Sequence, residues 1–191
     1  MRDMEPVLPK LVEDACRTLQ TLALQEDTFQ RIAAAVVTTL KSGGKILTCG
    51  NGGSAADALH LAEELVGRFR DNRRSLPAVS LAADATLLTC IGNDYSFDEI
   101  FSRQVEGLAS ENDLLVCFST SGNSPNILRA IKAAKTKGVK SVAFLGKGGG
   151  KSKGKADFEM LVPSSDTGRV QEAHTLILHA LLEVIEREVT A

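Results

Sequence analysis

The sequence has no tryptophan, one tyrosine, three histidines and five prolines, and its four cysteines stand at positions 16, 49, 90 and 117. So few aromatics leave no platform on which single-stranded nucleic acid could stack. A formal net charge of −2 lacks the basic footprint of a nucleic-acid binder and gives no membrane-surface signal. No two cysteines form a C-x-x-C pair of the metal-binding kind. Cys49 and Cys117 lie in or at the end of apolar runs, which suits buried free thiols. No apolar stretch approaches the roughly 20 residues that cross a bilayer. The N-terminus carries acids and a proline instead of the apolar core of a secretory signal. These absences set the expectation of a cytoplasmic protein with reduced thiols.

What is present is an ordinary globular composition, 43% hydrophobic and 24% charged, in 191 residues. That length fits one domain with a sizeable core. Residues 6–40 predict two helices. Leu8, Leu11, Val12, Ala15 and Leu19 follow a 3.6-residue period, and Thr28 can cap a second run bearing Ile32, Ala35, Val36 and Leu40. From residue 45 the pattern becomes short apolar runs alternating with helical stretches. Strands are predicted over residues 45–49, 76–81, 113–118, 141–145 and 158–162. Helices are predicted to about residue 68, over 85–92 and 97–108, to about 137, and over 167–188. Asn93 and Asp94 fall in a loop, and the glycine- and lysine-rich residues 146–155 read as a flexible one. This alternation predicts an α/β fold, a three-layer αβα sandwich around a mostly parallel five-stranded sheet. One domain spans 1–191. Its helical segment 1–41 is positioned to touch another subunit, and residues 42–191 form the α/β core.

Ligands of such sheets bind beyond the carboxyl ends of the strands, and two strand ends carry polar, glycine-bearing turns. The first is Gly50-Asn51-Gly52-Gly53-Ser54. Its glycines permit close backbone approach, and free N–H groups at the following helix start favour an anion. It is neither the dinucleotide G-x-G-x-x-G, since position 55 is Ala, nor a P-loop. The second is Ser119-Thr120-Ser121-Gly122-Asn123-Ser124-Pro125. Ser124 can cap a helix with Pro125 in its first position, and the remaining hydroxyls exceed what one cap requires. Such donors can hold a phosphate without a lysine.

Two further groups carry titratable side chains. His60 and Glu64, spaced i, i+4, share a helix face, while Glu63 points elsewhere. The pair suits either a surface ion pair or a metal-binding or base-orienting couple. Gln171, His174 and His179 sit on the last helix. Gln171 and His179 are separated by roughly 12 Å of helix rise, so a shared ligand needs approach from two sides or two chains. A lone histidine on an otherwise apolar helical face is more often a satisfied core residue.

Taken in order, CGNGGSAADALHLAEELVGRF at 49–69, IGND at 91–94, FDEIFSRQVE at 97–106, CFSTSGNSPN at 117–126 and VPSSDTGRVQEAH at 162–174 resemble the phosphoheptose isomerases, members of the SIS-domain family, over nearly the whole chain. The resemblance implies a flavodoxin-like SIS fold. It also implies conversion of D-sedoheptulose 7-phosphate to D-glycero-D-manno-heptose 7-phosphate through an enediol, the first step of nucleotide-heptose synthesis. By resemblance, Glu64 is the base and His179 the acid. A zinc ion is implied at His60, Glu64, Gln171 and His179. The phosphate is held by Ser119, Thr120, Ser121 and Ser124. Asn51, Gly52, Gly53, Ser54, Asn93, Asp94 and Thr167 match the sugar site, with Gln171 beside it and Arg68 and Arg169 matching positively charged residues nearby. A carboxylate cannot be a firm zinc ligand and a free base at once, so Glu64 either loosens during turnover or the metal is partly structural. The family also implies a homotetramer with sites at subunit interfaces, with a sugar phosphate and no nucleic acid or membrane as partner.

Three other readings remain in view. One SIS group binds the replication initiator without catalysis, but there the matches to Glu64 and His179 are typically lost, and this chain has both. An isomerase of another sugar phosphate lacks the heptose-type segments. A sugar-phosphate sensor carries an added DNA-binding domain, for which no extra segment exists here.

Overall fold

Strands β1 (Ile46–Cys49), β2 (Ala78–Ser80), β3 (Leu114–Ser119), β4 (Lys140–Leu145) and β5 (Phe158–Leu161) pair in the order β2-β1-β3-β4-β5, all parallel. The computed structural model describes residues 6–189, so the outermost ends of the expected domain lie outside the described residues.

The central strands are mostly apolar because both faces are covered. Leu114, Val116 and Phe118 face one layer, made by α2 (Glu26–Lys41), α3 (Gly53–Val66) and α7 (Thr167–Val189), with Leu22 of α1 (Leu8–Leu22) at its edge. Leu115 and Cys117 face the other, made by α4 (Ala85–Asp94), α5 (Ser102–Leu108) and α6 (Pro125–Thr136). The three-layer sandwich follows from this period-two burial. Cys49 and Cys117 are register partners in adjacent strands, buried free thiols with their sulfurs 3.5 Å apart.

The local expectations need four corrections. Helix α2 starts at Glu26, directly after a 3-10 turn at Ala23–Gln25, and Thr28 lies inside it, accepting a hydrogen bond from Arg31. Asn93 and Asp94 close helix α4 instead of forming a loop. The span predicted as one helix over 97–108 splits into a 3-10 turn at Phe97–Glu99 and α5. Residues 146–155 are folded. Three consecutive glycines at positive φ wind a tight turn whose end Ser152 N–H donates to the Gly122 carbonyl, and the amides of Gly154, Lys155 and Ala156 donate to Glu159. Composition signals a break in regular structure, but only these long-range acceptors fix the turn.

The first two helices behave differently. Ile32, Val36 and Leu40 of α2 are 3% exposed or less and belong to the domain's own core. Helix α1 instead leaves Val7 beside it, and its own Leu8, Leu11 and Val12, between 41% and 70% exposed.

Candidate active site

The chain leaves β1 toward β2 on one side and enters β3 on the other, so the crevice at the carboxyl ends of β1 and β3 is the switch point of the sheet. Both polar turns meet there. Asn51 of the first exchanges two side-chain hydrogen bonds, 2.9 and 2.8 Å, with Asn126 just after the second. Asn126 is 1% exposed and was not singled out from sequence. Its signal was weak, a polar residue in the first turn of a helix, where caps also collect.

The second turn spends some of its hydroxyls on itself. Ser119 Oγ accepts from the Gly122 N–H, and Ser121 Oγ accepts from the Asn123 N–H. Ser124 occupies the N-cap position of α6, yet its side chain makes no capping bond, which leaves its hydroxyl and the helix-start amides turned to other acceptors. Thr120 is half-buried beside them. Gly122 has φ +61°, and a Cβ there would stand 1.9 Å from the Gly149 carbonyl oxygen. The serine loop and the 146–155 turn therefore touch backbone to backbone.

Helices α3 and α7 run side by side in the same direction. Gly53 meets Gln171 so closely that a Cβ would lie 2.1 Å from Gln171 Nε2. One turn on, Asp57 Oδ1 accepts a hydrogen bond from Thr175. Another turn on, the His60 and His179 rings meet edge to face at 5.1 Å. Burial pushes the Asp57 carboxyl above its ordinary range, with Thr175 and His60 pulling the other way.

His60 Nε2 stands 3.4 Å from Glu64 Oε1, and Phe69 stacks on His179 at 5.6 Å. The structure thus brings His60, Glu64 and His179 together. It also corrects Glu63. Single donor atoms of His60, Glu63 and Glu64 all lie within 4.8 Å of one another, a group able to hold a metal ion. One imidazole with carboxylate oxygens, and a second imidazole against the first, suits a divalent cation such as zinc. Gln171 faces the opposite, glycine-turn end of α3, about two helical turns from His179.

Other expected site residues sit apart from this cluster within one chain. Asn93 donates to Asp94, and both are exposed at the end of α4. Arg68 is exposed and donates to the Arg70 carbonyl. Thr167 is exposed at the first position of α7, and the preceding Asp166 caps that helix by accepting from the Arg169 N–H. Arg169 is turned toward α1, donating to the Leu11 carbonyl at 2.7 Å.

His174 belongs to the core. It is fully buried against Phe118 and Phe144, and among the described residues neither ring nitrogen meets a partner at full hydrogen-bond geometry, the Leu145 backbone giving only a weak polar contact. Burial lowers its pKa to about 4, and the Leu145 backbone offsets only part of this. The folded chain therefore holds it neutral while the unfolded chain protonates it near the ordinary histidine value of 6.5. Its contribution to stability is full above about pH 6.5 and is lost as pH falls toward about 4. Relative to a His174→Phe variant, the parent should lose about 2 kcal/mol between about pH 7 and 5. Urea midpoints at the two pH values measure it, and parallel slopes for parent and variant would refute it.

Comparison with known proteins follows this geometry. The SIS domain pattern matches residues 12–146. A phosphoheptose isomerase of Aliarcobacter butzleri is 46% identical over 178 residues, 93% of each chain. The structure of a phosphoheptose isomerase from Francisella tularensis superimposes with TM-score 0.91 at 35% identity, over 94% of this chain and 96% of that one. The Neisseria gonorrhoeae phosphoheptose isomerase gives TM-score 0.88 at 39% identity, over 94% and 97%.

Proposed function

Because the chain belongs to the phosphoheptose isomerases of the SIS-domain family, we propose that it interconverts D-sedoheptulose 7-phosphate and D-glycero-D-manno-heptose 7-phosphate. The observation that carries this is the meeting of His60, Glu64 and His179 where α3 and α7 pack together. Glu64 takes the proton from C1 of the ketose and returns it to C2. His179 gives a proton to O2 as the carbonyl becomes a hydroxyl, and takes the O1 hydroxyl proton back as the aldehyde forms, which restores the acid. Atoms and charge balance through an enediol. Placed acid–base groups of this kind contribute roughly 10²- to 10⁴-fold each.

His60, Glu64 and His179 would hold a zinc ion, Glu64 loosening from it when it acts as base, with Gln171 completing the set only by reaching along or between chains. Bound there, the metal would polarise the substrate carbonyl as a Lewis acid. Asn51, Gly52, Gly53 and Ser54 line the sugar, and Gln171 stands over Gly53 to contact it. Ser119, Thr120, Ser121 and Ser124 hold the phosphate through uncharged donors at the start of α6. The exposed apolar face of α1 packs against other subunits of a homotetramer. Arg68, Asn93, Asp94 and Thr167 then complete sites at the subunit interfaces, which accounts for their separation from the cluster within one chain.

The reading is tested by turnover of sedoheptulose 7-phosphate by purified protein, with product detected through a coupled kinase, and with chelator and zinc controls. Loss on chelation and return on zinc addition supports the metal. Absence of turnover by metal-replete protein sinks the proposal. Ser124→Ala should raise KM about tenfold with little change in kcat, the loss of one hydrogen bond to a charged group. Ser119→Ala should raise KM further and lower the melting temperature, because the Gly122 amide loses its acceptor. An unchanged KM in both variants removes the serine loop from phosphate binding.

A further inference from the structure

Beyond the end of α3 lies a buried ion pair that the chemistry above does not use. The Arg73 side chain is 1% exposed and that of Glu186, on α7, is 7% exposed; Arg73 Nε stands 3.5 Å from Glu186 Oε1. A buried pair of this kind is a poor source of net stability, since desolvation offsets most of the attraction. What it touches is more informative than what it contributes to the fold.

Arg73 Nη2 donates to the Glu64 carbonyl at 2.6 Å, and Nη1 donates to the Leu65 carbonyl at 3.0 Å. These are among the last carbonyls of α3, which have no acceptor role within the helix itself. A guanidinium at this end is also favoured by the helix dipole. The turn of backbone carrying Glu64 is therefore held by Arg73.

Glu186 acts on the other half of the pair. Its carboxylate accepts backbone N–H bonds from Phe69 at 3.2 Å, Arg70 at 3.1 and 3.3 Å, and Asp71 at 3.4 Å. Burial raises the Glu186 pKa, but these amides and Arg73 outweigh it and hold the group below its ordinary value. Fixing the Phe69 backbone fixes the Phe69 ring, which stacks on His179 at 5.6 Å and 20°. Glu186 follows His179 by two turns on one face of α7. The same ion pair thus ends on the backbone of one candidate catalytic residue and on the ring neighbour of the other.

We propose that Arg73 and Glu186 are positioning residues for the isomerase, setting Glu64 and His179 relative to each other through the Glu64 carbonyl and the Phe69 ring. The inference rests on the assignment of Glu64 and His179 as base and acid. Displacements of about 1 Å caused by remote changes can cost roughly 10²-fold in rate. Loss of positioning lowers kcat while leaving the phosphate loop, some turns away, to bind substrate as before.

Three variants of the full chain test this. Glu186→Gln breaks the pair. Arg73→Met with Glu186→Gln removes both charges and leaves none buried alone. Phe69→Leu keeps the pair and removes only the ring contact, so it remains informative if the first two fail to fold. Each is expected to lower kcat, by about 10- to 100-fold for the first two, with KM within about threefold of the parent. Ring stacking also shifts the His179 imidazole resonance, which is resolvable because the chain has three histidines. That resonance should move in all three variants. His174, about three turns along α7 from Glu186, should stay in place and report an intact core. Folded variants with parental kcat and an unmoved His179 signal overturn the proposal. Glu64→Gln and His179→Gln, run alongside, separate the two questions. If these retain turnover, the acid–base assignment fails. If they are inactive while the three positioning variants match the parent, the positioning inference alone fails.

Discussion

Glu64→Gln should remove turnover of sedoheptulose 7-phosphate by a factor of about 10³ or more, while thermal stability, oligomeric state and phosphate affinity stay near those of the parent. The amide keeps the size of the side chain but cannot take a proton from carbon, so the loss should fall on kcat, with KM little changed. Glu64 is half-buried, with 16% of its side chain exposed, and the Arg73 bond goes to its carbonyl oxygen, so the substitution leaves the helix end as it is. Rates at saturating substrate, together with phosphate titration, decide it. Near-parental turnover would assign the base elsewhere, with the neighbouring Glu63 as the first alternative, because its carboxylate reaches the same cluster.

The second large effect is expected at a residue with no side chain. Gly122→Ala should lower stability by about 2–4 kcal/mol and raise KM by about tenfold or more. Two causes combine. A left-handed backbone costs a non-glycine residue about 1–2 kcal/mol. In addition, the new methyl would lie 1.9 Å from the Gly149 carbonyl oxygen, which is backbone and cannot swing aside. The serine loop and the 146–155 turn must separate, and the Ser152 bond to the Gly122 carbonyl weakens with them. Gly148→Ala is the control. Its φ is +76°, but nothing lies within 4 Å of a Cβ there. It should cost about 1 kcal/mol and leave KM unchanged. Equal effects at the two glycines would mean that backbone conformation alone matters and that the two loops do not support each other.

The contrast between those glycines marks what sequence could and could not supply. The apolar run at 114–118 identifies a strand buried on both faces because that property is written in consecutive residues. Helix spacing places His60 and Glu64 on one face for the same reason, since i and i+4 are neighbours on any helix. The two polar turns at strand ends, the parallel α/β class and the family resemblance were all legible in this way. The exact helix ends were less so. Asp166 caps α7 and α4 runs on through Asn93 and Asp94, because capping and termination depend on which side chain reaches which amide.

The resemblance put His60 and His179 at one site, but the contacts that join distant segments were supplied by tertiary structure. Nothing local tells that His179 lies against His60, 119 residues earlier, or that His174 one turn before it is instead sealed between Phe118 and Phe144. Arg73 and Glu186 are two ordinary charged residues in the sequence. They acquire a role because α3 and α7 pack side by side and leave one guanidinium to serve the Glu64 and Leu65 carbonyls at the end of α3. Periodicity and turn chemistry act over a few residues, so the sequence by itself determined the elements, their order and the kind of chemistry the motifs suit. Packing compares surfaces far apart along the chain. Only the folded sheet and its helices therefore settled which titratable groups share a site, which are held neutral in the core, and which hold the others in place.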